Sequence, residues 1–255
     1  MVEGENDATP GPGLVAVVTG ASRGLGAGLA RAFAHQGLRL GLCARHLPVA
    51  PSGADAVCGS VDVTDAAALD GFAGEVVARF GRIDLWVNNA GVLDPTGPLA
   101  DADPEALRRH VEVNVTGALF GCRTFARHVR TRPGGGVLVN ISSGAGTKIY
   151  EGWAAYCASK AAVDMMTAVV GAEEHAHGLR GFALAPGVVD TDMQATIRAT
   201  PAARFPSVGR FVQLHRDRAF NSPDRVATFI LDLVAGRREA TDGVRVRVPD
   251  QPGHR

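Results

Sequence analysis

A valine-rich run, Leu14-Val15-Ala16-Val17-Val18, passes directly into Thr19-Gly20-Ala21-Ser22-Arg23-Gly24-Leu25-Gly26. Leu25, Leu29, Ala32 and Phe33 follow at helical spacing, and Gly37 stops the helix. An apolar strand that turns through glycines into a helix leaves few folds open. Glycines permit the tight turn and let backbone N–H groups approach a pyrophosphate, and the helix N-terminus favours its negative charge. Gly20, Ser22, Arg23, Gly24, Leu25 and Gly26 are therefore candidate cofactor contacts.

The alternation continues along the chain. Apolar runs at 38–44, 56–61, 83–87, 136–141, 180–185 and 244–248 read as further strands. Between them the spacing predicts helices after Asp65, over 104–131 behind Asp103-Pro104, over 153–177 and over 222–235. Strands that are nearly all apolar, separated by long helices, pair in parallel with helices on both faces. The expectation is one α/β domain over 14–255: a Rossmann-like, doubly wound, seven-stranded parallel sheet behind a flexible tail at 1–13. The stretch 190–221 carries Met193, Ile197, Phe205, Phe211 and Leu214 among charges. It is too apolar for a linker, and a substrate lid over the strand ends accounts for it.

Composition narrows the function. Lys plus Arg and Asp plus Glu each number 26, so there is no basic excess to suggest a nucleic-acid partner. No apolar run approaches the roughly 20 residues of a membrane span. The acidic start lacks the basic and apolar regions of a secretory signal. Cys43, Cys58, Cys122 and Cys157 lie far apart, as reduced thiols of a cytoplasmic protein would. His175 and His177 are two apart on a helix and share no face, so no metal site is expected.

The chain has only two lysines, Lys148 and Lys160, and two tyrosines, Tyr150 and Tyr156. Tyr156 and Lys160 are four apart on an expected helix and so share a face. A free phenol has a pKa near ~10, which makes it a reluctant acid. At ~4 Å and an effective dielectric of ~20, an ammonium attracts a phenolate by about 4 kcal/mol. This predicts a pKa lowered by up to about two to three units, toward the range where acid–base catalysis is effective.

Taken together, Thr19-Gly20-x3-Gly24-x-Gly26, Asn88-Asn89-Ala90-Gly91, Ser143 thirteen residues before Tyr156-Cys157-Ala158-Ser159-Lys160, and Pro186-Gly187 with Thr191 resemble the short-chain dehydrogenase/reductase family, over about residues 14–248. The resemblance implies that Tyr156 donates a proton to a carbonyl oxygen and that Ser143, rather than neighbouring Ser142, holds that oxygen. It implies that Lys160 lowers the tyrosine pKa and binds the nicotinamide ribose, while Asn114 holds a proton-relay water. Asp62 and Val63 would contact the adenine, and Asn89, Ala90 and Gly91 would pack beside its ribose. Pro186, Gly187, Val189 and Thr191 complete the implied cofactor set. Homodimers or homotetramers through the helices at 104–131 and 153–177 are also implied.

No carboxylate ends the second strand, where Leu42-Cys43-Ala44-Arg45-His46 stands. A carboxylate there would bind a ribose diol, whereas Arg45 and Arg23 suit a phosphate, so NADPH is expected. The segments around Trp153–Met165 and Ala185–Gln194 resemble the sepiapterin and benzil reductases. That likeness implies reduction of one carbonyl of a compact, largely apolar ketone or 1,2-dicarbonyl, in a pocket with Trp153 and Met193 beside Ser143 and Tyr156. Arg247 stands where sepiapterin reductases have a pterin-anchoring aspartate, with Asp250 three residues on. A guanidinium cannot accept hydrogen bonds from a pterin, which argues against that substrate. A secondary-metabolite, steroid or sugar ketoreductase is the alternative enzyme, and a catalytically silent NADP-binding sensor the non-enzymatic one.

Overall fold

A computed structural model describes residues 13–240 and 244–250. The expected tail, apart from Gly13, lies outside the described residues. The first strand, β1 (Val15–Thr19), feeds α1 (Gly24–His35), followed by β2 (Arg39–Ala44), β3 (Ala56–Ser60), α2 (Ala66–Phe80) and β4 (Leu85–Asn88). Next come α3 (Pro104–Val111), a π turn (Glu112–Thr116), α4 (Gly117–Arg130), β5 (Gly136–Ile141) and α5 (Ala154–Glu174). The remaining elements are β6 (Leu179–Ala185), α6 (Asp192–Ala199), α7 (Val208–Arg216), α8 (Pro223–Val234) and β7 (Arg245–Arg247).

The seven strands form one parallel sheet in the order β3-β2-β1-β4-β5-β6-β7. The order reverses between β1 and β4, where Val18 pairs with Val87. In such sheets ligands bind in the crevice beyond the strand C-termini at this switch point. Side chains alternate across the sheet. Ala16 and Val18 face the layer of α1 and α8, with Leu29, Phe33 and Ile230. Val15 and Val17 face the opposite layer, with Phe72, Val76, Trp86 and Phe125. Helix starts follow local chemistry: Asp65 accepts from Ala68 N at 3.0 Å, and Asp103, ahead of Pro104, accepts from Ala106 N at 3.0 Å. Among the described residues no helix is long and apolar enough to cross a membrane.

One expectation needs correcting. The helix over 104–131 is two α-helices joined by the π turn, which places Asn114 at the break. Just past the C-terminus of α8, Arg237 and Arg238 ion-pair with Asp232 at 2.8 and 2.9 Å. The awkward stretch at 190–221 holds α6 and α7, which pack on their own aromatic cluster around Trp153.

Phe125 is fully buried and stacks near Trp86, with ring centroids 6.1 Å apart. Phe125→Ala is expected to lower the unfolding free energy by about 3–5 kcal/mol, read by urea denaturation. A loss under about 1 kcal/mol would show that this layer does not anchor the sheet.

Candidate active site

The glycine turn is built by close backbone approach. A Cβ on Gly26 would lie 2.4 Å from Gly20 O, and one on Gly20 would lie 2.8 Å from Ala90 Cα. Thr19 Oγ1 accepts from Asn89 N at 3.0 Å and from Ala90 N at 3.1 Å, while Asn89 Nδ2 donates to Thr19 O at 2.9 Å. The turns after β1 and β4 are thereby stitched together at the switch point. The N-terminus of α1 has no acidic residue in its first turn and no side-chain cap, so its dipole and N–H groups suit an anion. Thr191 stands beside this turn, its Cγ2 3.5 Å from where a Gly24 Cβ would be. Ser22 and Leu25 flank the same turn, Ser22 exposed and Leu25 half-buried.

The two arginines differ. Arg45 is exposed just past β2, and its carbonyl accepts from Ser60 Oγ at 2.9 Å. Arg23 already meets Asp192, at the start of α6, at 3.3 Å. Asp62 accepts from Thr64 N at 3.0 Å and Thr64 Oγ1 at 2.8 Å. Val63 and Val189 are both buried in core clusters. A Cβ on Gly91 would stand 3.3 Å from Asn114 Oδ1, so this loop lies against the π turn. Asn221 Nδ2 donates to Pro186 O at 2.9 Å and holds the turn in which Gly187 has φ +74°.

At the ends of β5 and α5, the Ser143 hydroxyl hydrogen-bonds the Tyr156 phenol. Lys160 Nζ lies 5.6 Å from the Tyr156 ring centroid and donates to Ile141 O at 2.8 Å. The adjacent serine, Ser142, donates instead to Asp164. Burial pushes the Tyr156 phenol up to about 12, despite the Ser143 hydrogen bond that favours phenolate. The lowered pKa expected from sequence is thus reversed: desolvation outweighs the one contact that favours phenolate. Burial also pulls Lys160 down to about 8, and the carboxylate of Asp164 opposes that shift.

Asn114 is locked by its surroundings. Its Oδ1 accepts from Val92 N at 2.8 Å, and its Nδ2 donates to Val92 O at 2.8 Å and to His110 Nε2 at 3.0 Å. His110 Nδ1 lies 2.8 Å from Asp94 O, a pure acceptor, which assigns the ring proton to Nδ1. Burial holds the His110 pKa below its ordinary value, so the ring stays neutral. It meets the Tyr156 ring edge-on at 6.2 Å. The opposite wall is aromatic: Trp153, 3% exposed, stacks on Phe205 at 4.2 Å and lies 5.4 Å from Tyr156. Met193 packs against the same cluster.

The structure therefore brings Ser143, Tyr156, Lys160 and Trp153 together, with Asn114 behind them. Sequence reasoning missed His110 and Asp164. Both were within reach of one signal: each lies four residues from a candidate already chosen, His110 before Asn114 and Asp164 after Lys160.

A family model described as short chain dehydrogenase matches residues 14–202. Benzil reductase ((S)-benzoin forming) of Bacillus subtilis (strain 168) is 36% identical over 158 residues, 61% of this chain and 65% of that protein. The enzyme of the same name from Bacillus cereus is 37% identical over 166 residues, 64% of this chain and 66% of that protein. The matched segment thus spans slightly less than two thirds of either relative. The crystal structure of the KRED1-Pglu enzyme superposes with a TM-score of 0.77 at 33% identity, covering 91% of this chain and all of that one. The switch-point crevice, the glycine turn and the Ser143–Tyr156–Lys160 group lie within a chain that belongs to the short chain dehydrogenase family.

Proposed function

We propose that the protein is an NADPH-dependent carbonyl reductase that reduces one carbonyl of a compact, largely apolar ketone or 1,2-dicarbonyl compound. The observation that carries this reading is the Tyr156 phenol, hydrogen-bonded to Ser143 and flanked by the Lys160 ammonium and the Trp153 wall. The family and fold imply a nicotinamide cofactor, and the close-packed glycine turn with its uncapped helix fits the pyrophosphate. Arg45 would hold the 2′-phosphate, with Arg23 beside it, and Lys160 the nicotinamide ribose. NADPH supplies hydride when bound.

The chain's own residues manage the oxygen. Ser143 donates a hydrogen bond to the carbonyl oxygen, and Tyr156 transfers its phenolic proton there as negative charge develops. A buried phenol held near 12 carries its proton at neutral pH, and the developing negative charge on the substrate oxygen has to draw that proton off. Lys160 then stabilises the phenolate left behind. Asn114, its amide fixed between Val92 and His110, would position a water for reprotonation. The segment at 190–221 would act as lid, since Phe205 and Phe211 close over Trp153. Exposed Val111, Leu119, Met165 and Val169 on α3, α4 and α5 fit self-association through these helices.

The benzil reductase likeness and the aromatic wall favour a vicinal diketone. The Asp250 carboxylate is taken by Arg247 Nη2, 2.8 Å from both of its oxygens, which disfavours a pterin. The test is oxidation of NADPH and NADH with benzil, a second vicinal diketone, sepiapterin, an aryl ketone and a steroid ketone. NADPH-specific turnover of the diketones, with sepiapterin poor, is the expected result. Tight NADPH binding without turnover of any of them would defeat the substrate reading and favour the sensor.

A further inference from the structure

Asp164 lies one helical turn beyond Lys160 on α5, and the two side chains hold consecutive residues of β5 and its exit. Lys160 Nζ donates to Ile141 O at 2.8 Å, and Ser142 Oγ donates to Asp164 Oδ1. A third approach tightens the corner. A Cβ on Gly146 would stand 2.9 Å from Asp164 Oδ2 and 3.1 Å from Lys160 O, so the 3-10 turn Gly144–Gly146 lies hard against this part of α5. Ser143 sits between the tethered Ser142 and that turn. Its position relative to Tyr156 is therefore set from both sides.

We propose that Asp164 is a positioning residue for the reaction: it pins the end of β5 through Ser142, and its carboxylate keeps the neighbouring Lys160 ammonium charged. The kinetic part of this inference rests on the role given to Lys160 under the proposed function; the electrostatic part does not. The groups facing Lys160 are Asp164 and Tyr156 from α5, the neutral ring of His110 from α3, and the Ile141 carbonyl from β5. Among the described residues, Asp164 is the carboxylate that raises the Lys160 pKa against desolvation. A lysine held near 8 sits close to neutrality, so losing that support changes its charge in the working range.

The scarcity of lysine makes the test direct. Lysine labelled with ¹³C at Cε gives two resonances, from exposed Lys148 and buried Lys160. In Asp164→Asn the Lys160 pKa is expected to fall by about one unit or more while Lys148 does not move. The alkaline limb of kcat/KM should fall with it, because the charged form is the active one. Ser142→Ala keeps the carboxylate. It should leave the Lys160 titration within about 0.3 unit and lower kcat several-fold through Ser143, with little change in KM for NADPH. An unshifted Lys160 in Asp164→Asn would overturn the proposal, as would an equal shift in Ser142→Ala. Should Asp164→Asn not fold, Asp164→Glu retains the charge on a longer arm. Lys160 should then keep its titration while kcat falls, and a drop of about one unit in that variant would equally overturn it. The lysine resonances need no carbonyl substrate, so a failed substrate panel leaves this result readable.

Discussion

Tyr156→Phe is expected to lower kcat by about 10²–10⁴-fold while changing the Kd for NADPH less than about threefold. The change removes one hydroxyl and keeps the ring, which is held by Trp153 at 5.4 Å and by His110 at 6.2 Å. The pocket wall should therefore survive. What disappears is the proton donor and the hydrogen bond to Ser143. Fluorescence titration with NADPH and single-turnover reduction of a diketone separate binding from chemistry. A tenfold weaker cofactor with intact chemistry would assign Tyr156 to binding and contradict the role proposed for it.

Arg45→Ala should raise the KM for NADPH by about 10–100-fold and leave that for NADH within about threefold. A guanidinium on a phosphate makes charge-assisted, geometrically matched bonds, and the ribose diol of NADH offers no such partner. Arg23→Ala should have the smaller effect. Its guanidinium already faces the Asp192 carboxylate at 3.3 Å, so phosphate binding has to compete with or share that contact. Steady-state kinetics with both cofactors on both variants decide the matter. An unchanged NADPH to NADH ratio in each would reduce the two arginines to solvated surface groups and remove the argument for NADPH.

Most of the architecture was legible because it rests on patterns that local chemistry enforces. The run Val15–Val18 is buried on both faces and reads as a parallel strand, and Asp65 and Asp103 cap the helices they precede. The family resemblance put Ser143 ahead of Ser142, and in the structure the Ser142 hydroxyl is engaged with Asp164. The pKa of Tyr156 was not legible, because the spacing to Lys160 says nothing of the burial that raises it. The two helices at 190–221 were obscured because their apolar side chains pack on Trp153, outside the layers on the sheet.

The π turn at Glu112–Thr116 has a consequence for insertions and deletions. Gly117 N donates to Glu112 O across five residues, so this turn absorbs one residue more than an α-helical turn. Deleting a residue within α4 would rotate everything beyond it by about 100° and swing Phe125 out of its layer. Deleting one inside the π turn would instead restore a continuous α-helix with both flanks on their present azimuths. The folded core should tolerate such a shortening, yet Asn114 would no longer reach Val92 and His110 as it does now. This surplus residue is a point where length can change without unfolding the protein and still disarm it.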